Sequence, residues 1–231
     1  MNLVYSNSIT RVLQMILNSS TATCFTTEYN GEQYLITAKH VFENIGYANH
    51  TTIQVYQEHM WKNLDVDVFY HEIKEIDIAI MKFALNSITQ KLPIEYNCNN
   101  ICYSQDAFFL GFPFGCMMDN FSQNSGYPVP LIKKCTVSGI MNENNISYFL
   151  LDGQNNQGFS GGPVIFNEIL TDKNEYKSEY KICAVISGYR FYSSPVFDQS
   201  GSQVPFFTKE NAGLIIAYDI KYAFEIIKKI K

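Results

Sequence analysis

No stretch of the sequence approaches the roughly 18 consecutive apolar residues that a membrane-spanning helix needs, so no membrane association is expected. Basic residues are also scarce. Lys and Arg number 17 against 22 Asp and Glu, a formal net charge of -5. With no basic stripe to follow a phosphate backbone, nucleic-acid binding is not expected either. The opening segment, MNLVYSNSITRVLQMILNSS, lacks a positive stretch, a continuous apolar core and a small-residue cleavage site. It does not read as a secretory leader, and the expectation is a cytoplasmic protein. Internal repeats and low-complexity tracts are absent. Six cysteines are present (Cys24, Cys98, Cys102, Cys116, Cys135 and Cys183). In a chain without an export signal they are expected to stay reduced, as small hydrophobes in apolar runs such as KICAVIS. Cys98 and Cys102 have no second Cys/His pair at zinc-site spacing, so neither a metal nor another cofactor is expected.

The chain has 231 residues, 46% of them hydrophobic and 17% charged, a balance that suits one large domain or two small ones. Short runs rich in β-branched and aromatic residues recur along it: QYLITAK, TTIQVYQ, DVDVFYH, IDIAIMKF, AFFLGF, CTVSGI, SYFLLD, GGPVIF, ICAVISGY and AGLIIAY. Asn, Gly, Asp and Ser clusters separate them. Many short strands with turn chemistry between them predict an all-β sandwich or barrel fold. Asn30-Gly31, just before QYLITAK, is a hairpin signal. The polar stretch from Asn86 to Gln105 divides the strands into two comparable groups, residues 1–95 and 96–231. Helical periodicity occurs near Ser8 to Leu17, and again where Ile220, Ala223, Phe224, Ile227 and Ile230 fall at spacings of three and four.

One stretch carries chemistry on its face: QGFSGGPVIF, residues 157–166. A Ser flanked by flexible residues suits a protruding hydroxyl with backbone N–H groups converging on a developing oxyanion. Glycine-rich turns containing Ser also occur for purely structural reasons. A Ser hydroxyl becomes a strong nucleophile only when a base takes its proton. Of the four histidines, His40 in YLITAKHVF stands at the end of an apolar strand. A structural, hydrogen-bonded His is the alternative reading there. Asp77 opens the apolar run of KEIDIAIMKF, where a buried carboxylate is costly unless paired. It could cap a turn, or accept the Nδ1 proton of His40.

LITAKHV, DIAIMKF and GFSGGPV, in the order His, Asp, Ser, resemble the three catalytic motifs of chymotrypsin-fold, trypsin-like serine proteases. GFPFG at 111–115, TVSGI at 136–140, and AGLIIAY with a terminal helix resemble the protease domain of the HtrA/Deg branch, here without the PDZ domain that usually follows it. The resemblance implies two six-stranded antiparallel β-barrels with a C-terminal helix and an active site between the barrels. It implies His40, Asp77 and Ser160 as a catalytic triad, and the Gly158 and Ser160 N–H groups as the oxyanion hole. The substrate would be a protein or peptide.

The resemblance also implies a substrate pocket walled by residues near Asp152, Gln154, Asn156 and Gln157 and by the strand carrying Ile186, Ser187, Gly188 and Arg190. Gln154 stands where trypsin has a carboxylate, so a strong Lys/Arg preference is not expected. Arg190 could favour acidic side chains, or be a solvated strand-end residue. Phe159 replaces the Asp that pairs with a newly cut N-terminus in secreted relatives, which implies activity without propeptide removal. Regulation is either absent or exerted by an activating partner protein. By association, such chains resemble components of bacterial stress or defence systems. Two rival readings remain: a catalytically silent binding module on the same fold, and an esterase. The esterase is disfavoured because Ser160 is followed by a strand, PVIF, rather than a helix.

Overall fold

The computed structural model describes residues 4, 6–85, 87–118, 124–172 and 175–230, with side chains described outside 169–178. Six strands form the first half: β1 (Val12–Leu17), β2 (Ser20–Tyr29), β3 (Glu32–Thr37), β4 (His50–Gln57), β5 (Met60–Tyr70) and β6 (Ala79–Lys82). They close into a barrel in the order β1-β2-β3-β6-β5-β4, with Met15 opposite Val55 completing the ring. Asn30 and Gly31 both have positive φ (50° and 84°) and join β2 to β3 through the two-residue turn that strand twist favours.

The second half contains β7 (Glu95–Tyr96), β8 (Asp106–Gly111), β9 (Leu131–Glu143), β10 (Ile146–Asp152), β11 (Pro163–Asp172), β12 (Glu175–Phe197) and β13 (Gln203–Asp219). The sheet runs β11-β8-β9-β10-β13-β12, and the β11–β12 pairing closes it into a second six-stranded antiparallel ring. The short β7 lies parallel to β12 outside the ring. A helix α2 (Lys221–Ile227) follows β13, as the spacing of its apolar residues predicts. The divider between the halves starts at Asn86, which lies outside the described residues; from residue 87 it is mostly irregular, with β7 as its one strand.

Alternation along the strands sorts side chains into three cores. Leu13, Met15, Leu35, Ile53, Val66, Val68 and Met81 fill the first barrel. Phe109, Val137, Phe149, Val164, Phe166, Ala184, Ile186 and Ile215 fill the second. Between them, Val12, Phe25, Ile36, Ile78 and Ile80 of the first barrel pack on Leu110, Phe112, Ile165, Ile182 and Val185 of the second, with Tyr222, Ala223 and Ile226 of α2 sealing one side. Strands β1, β3 and β6 are therefore buried on both faces, which is why they read as nearly continuous apolar runs.

That double burial explains the one clear misreading at secondary-structure level. The helical spacing near Ser8 to Leu17 does not produce a long helix: α1 spans only Ser6–Ile9, and Val12–Leu17 is a strand. An apolar run buried on both faces carries no period that distinguishes the two states. Arg11, at the junction, is fully buried and meets Glu28 at 2.8 Å and the Tyr96 hydroxyl at 2.7 Å. No helix among the described residues is long and apolar enough to cross a membrane. All six cysteines are free, and burial pushes the Cys135 thiol up to about 12 and Cys98 to about 11, which makes both poor nucleophiles.

Candidate functional site

Strand register brings His40 and Asp77 together. β3 and β6 pair antiparallel with Thr37 opposite Ala79, so the residues just after β3 face those just before β6. His40 leaves β3 in a 3-10 turn, Lys39–Ile45, and Asp77 enters β6. The Nδ1–H of His40 donates to Asp77 Oδ2 at 2.7 Å, and the His40 backbone N–H donates to Oδ1 at 2.8 Å. The Ser187 hydroxyl adds a third donor to Oδ2 at 2.5 Å. With Nδ1 occupied as a donor, Nε2 is left as the acceptor on the exposed side of the ring.

Burial works against both charges: it pushes the His40 pKa down and the Asp77 pKa up. For His40 the hydrogen bond and charge of Asp77, helped by Glu43, outweigh burial, and the net direction is upward. For Asp77 the same pair, with Ser187 and the His40 N–H, holds the carboxyl below its ordinary range. The His40 side chain is 41% exposed and that of Asp77 16%, so the imidazole opens to solvent over a shielded carboxylate.

Ser160 comes from the other barrel. It stands three residues before β11, and Gly161 N–H to Ile186 O (2.8 Å) and Ile186 N–H to Gly162 O (2.9 Å) extend the β11–β12 ladder past Pro163. The Ser160 hydroxyl therefore lies beside Ser187 and donates to its carbonyl at 3.3 Å. Among the described residues it makes no hydrogen bond to His40. Ser160 and His40 nevertheless line one cavity of about 440 Å³.

Thr23, a fully buried residue of β2 that the sequence did not single out, ties the serine loop to the first barrel. Its hydroxyl donates to the Gly158 carbonyl at 2.7 Å and accepts the Phe112 N–H at 3.1 Å, and its own N–H donates to the Ser160 carbonyl at 3.1 Å. At Gly161, φ is +83°, and a Cβ would collide with the Thr37 hydroxyl and the Thr23 carbonyl. Only glycine permits this approach of the two barrels.

The N–H groups of the loop are held open. The Gln157 carbonyl accepts the Phe114 N–H at 2.8 Å, from the GFPFG loop. In a trans peptide the C=O and N–H point in opposite directions, so this bond turns the Gly158 N–H away from that loop. Among the described residues, neither the Gly158 nor the Ser160 N–H donates to a protein acceptor. Phe159 between them is fully buried, edge-on to Phe109 at 4.7 Å between ring centroids.

Of the residues the sequence suggested for a pocket, Asn156, Gln157, Ser187 and Gly188 line the cavity. Four do not. Ile186 is fully buried in the core of the second barrel. Asp152 pairs with Thr136 and Leu214 within the sheet. Gln154 turns its carbonyl to the Lys133 ammonium. Arg190 acts instead on Tyr148, where its charge partly offsets the upward push of burial and Glu143 on that hydroxyl. The β12 residues that line the cavity are Ser187, Gly188, Tyr189 and Phe191, in a stretch where the β12–β13 register shifts at Ile186/Gly188 and again at Tyr189/Phe191. Asn155 and Tyr189, inside the two stretches the sequence pointed to, also line it, and Phe191 and Lys209 join from outside them. Lys209 belongs to a polar stretch of β13 that carries no local motif.

The profile of the trypsin-like peptidase domain matches residues 22–168, well over half of the chain and inclusive of His40, Asp77 and Ser160. The chain belongs to the trypsin-like peptidase family. No curated protein matches it significantly. Solved structures similar to this trypsin-like peptidase chain include Rv3671c protease from M. tuberculosis in its active form, with a TM-score of 0.57, 14% identity, and coverage of 97% of this chain and 82% of that one. Deg5 gives a TM-score of 0.57 at 14% identity over 94% and 87%. The HtrA-type protease AlgW with tripeptide gives 0.56 at 18% identity, covering 97% of this chain but only 61% of AlgW. These likenesses establish a chymotrypsin-type fold with HtrA/Deg-type neighbours.

Proposed function

We propose that this chain is a serine endopeptidase in which Ser160 attacks a peptide carbonyl, His40 accepts its proton, and Asp77 fixes and charges-balances the imidazole. The observation that carries the reading is the His40–Asp77 pair, whose doubly bound carboxylate leaves Nε2 as an acceptor in the cavity that Ser160 lines. Attack forms the Oγ–C bond, and the carbonyl oxygen takes the negative charge beside the Gly158 and Ser160 N–H groups. His40 then gives its proton to the departing amine as the C–N bond breaks. Water, deprotonated by the same imidazole, releases the acyl group and restores the hydroxyl.

Phe159 supports activity of the uncut chain. It anchors the serine loop by burying an aromatic ring, which requires no newly generated N-terminus. The rival reading, a silent binding module, draws on the Ser160 hydroxyl being turned to Ser187. Labelling the uncut protein with a fluorophosphonate, followed by peptide mapping, separates the two. A single adduct on Ser160 is the expected result. A folded sample that takes up no label would leave the binding module as the better account.

Gly158 gives an independent check on the oxyanion hole. Its φ is +103°, and a Cβ would press into the Phe112 carbonyl and meet Pro113 Cα at 3.0 Å. Gly158→Ala must shift the loop and its N–H groups, so kcat on a peptide substrate should fall about 100-fold or more, in line with the loss of one oxyanion donor. A variant with unchanged kcat would mean that these N–H groups do not meet the reacting oxygen.

A further inference from the structure

The cavity beside Ser160 has an uneven electrostatic make-up. Lys209 brings a full positive charge to its lining, and no carboxylate is among the lining residues. The ammonium lies 4.7 Å from the Phe191 ring centroid, a cation–π contact. Among the described residues it has no carboxylate within ion-pair distance. The nearest carboxylate in sequence, Glu210, accepts from the Tyr192 hydroxyl at 2.7 Å. A second cation lies behind the lining residue Asn156, where Lys133 reaches the Gln154 carbonyl and Asn156 Oδ1.

Backbone geometry places an occupant there. Beyond Ile186, which still exchanges hydrogen bonds with Gly161 and Gly162 ahead of β11, that side of β12 is no longer covered by the serine-bearing segment. The uncovered edge runs from Ser187 past Gly188 and Tyr189, directly beside the Ser160 hydroxyl. An extended peptide laid along it has its reacting carbonyl at Ser160 and a side chain in the cavity, facing the part of the β12–β13 ribbon that carries Phe191 and Lys209.

We propose that this cavity selects an acidic side chain, aspartate or glutamate, at the residue whose carbonyl Ser160 attacks, with Lys209 as the recognising cation. The proposal rests on the endopeptidase reading for its chemistry, but the binding preference exists without turnover. A carboxylate entering the cavity gains a charge-assisted bond from Lys209 that the isosteric amide forms only weakly. A lysine entering it meets a like charge. The amides of Asn156 and Gln157 supply further donors.

The test uses the Ser160→Ala protein and three fluorescein-tagged peptides that differ only in carrying Glu, Gln or Lys at one position of an otherwise Ala/Val sequence. Anisotropy titration at low salt should show the Glu peptide binding about tenfold more tightly than the Gln peptide, with the gap narrowing as salt is added. Lys209→Met should abolish the Glu/Gln difference, and Lys209→Glu should shift preference to the Lys peptide. Lys209 is exposed, so neither substitution threatens the fold. Equal binding of the Glu and Gln peptides, no binding of any of the three, or a Glu preference that survives Lys209→Met would each overturn the proposal. Hydrolysis by the unsubstituted protein keeps the two readings apart. A Glu preference in binding without cleavage or fluorophosphonate labelling sinks the endopeptidase alone. Cleavage without acidic preference sinks the pocket assignment alone.

Discussion

Ser160→Ala should lower kcat for peptide hydrolysis by about 10⁶-fold while leaving the protein folded, since loss of the nucleophile removes the acyl-enzyme route entirely. The structural cost is small. The hydroxyl's one hydrogen bond among the described residues is a 3.3 Å contact to the Ser187 carbonyl, so stability should change by less than about 1 kcal/mol. The bonds that hold the loop use the Ser160 carbonyl and the Gly158 carbonyl, both bound to Thr23, and are untouched by the substitution. Parallel measurements of hydrolysis and of thermal unfolding check both halves. Residual turnover near the unsubstituted rate would assign the chemistry to another group.

Asp77→Asn is expected to cost about 10⁴-fold in kcat with little change in the surrounding geometry, because an amide at this position can hold His40 in the wrong tautomer. Its pH profile carries a second signature. Catalysis needs neutral His40, and the net effect of Asp77 and Glu43 over burial is to raise this pKa above its ordinary value of 6.5. Activity of the unsubstituted protein should therefore rise with pH through a limb lying above 6.5. Without the Asp77 charge, burial is opposed only by Glu43, and the limb should move to lower pH. A profile whose acid limb stays in place would mean that another group controls it.

The same pair bears on stability, with opposite signs for its two members. The raised His40 value stabilises the fold fully below 6.5, and that contribution is lost as pH climbs through the folded-state value. The lowered Asp77 value stabilises it above 3.8, and that contribution is lost as pH falls through the folded-state value. The pair's contribution is thus greatest between those two ordinary values.

Most strands were legible because their chemistry is local. Asn30-Gly31 marked a turn whose positive φ angles only certain residues accept readily. The terminal helix was legible from Ile220, Ala223 and Ile227, which meet the interface at helical spacing. His40 and Asp77 were legible because each interrupts an apolar pattern where a polar group needs a partner. Val12–Leu17 was not, because packing on both faces erased its periodicity. Thr23 was invisible for a related reason: a threonine in a strand is ordinary, and its two bonds to the serine loop and one to Phe112 exist only after the barrels dock.

The pocket shows the same division more sharply. Sequence placed Asn156, Gln157, Ser187 and Gly188 near the serine but also offered Ile186 and Arg190, since a motif does not state which residues of a strand face the cavity. It could not reach Lys209, which lies 49 positions beyond Ser160 by residue number and comes to the cavity only through the pairing of β13 with β12.

By itself, then, the sequence determined the all-β fold class and marked His40, Asp77 and Ser160 as candidate residues, because turn chemistry, alternation and buried polar groups act over a few neighbouring positions. Tertiary structure alone decided the closure of the two rings, the docking of Thr23 against the serine loop and the arrival of Lys209 at the cavity. Those depend on strand register and barrel contact between residues far apart in the chain, and no local pattern encodes such distances.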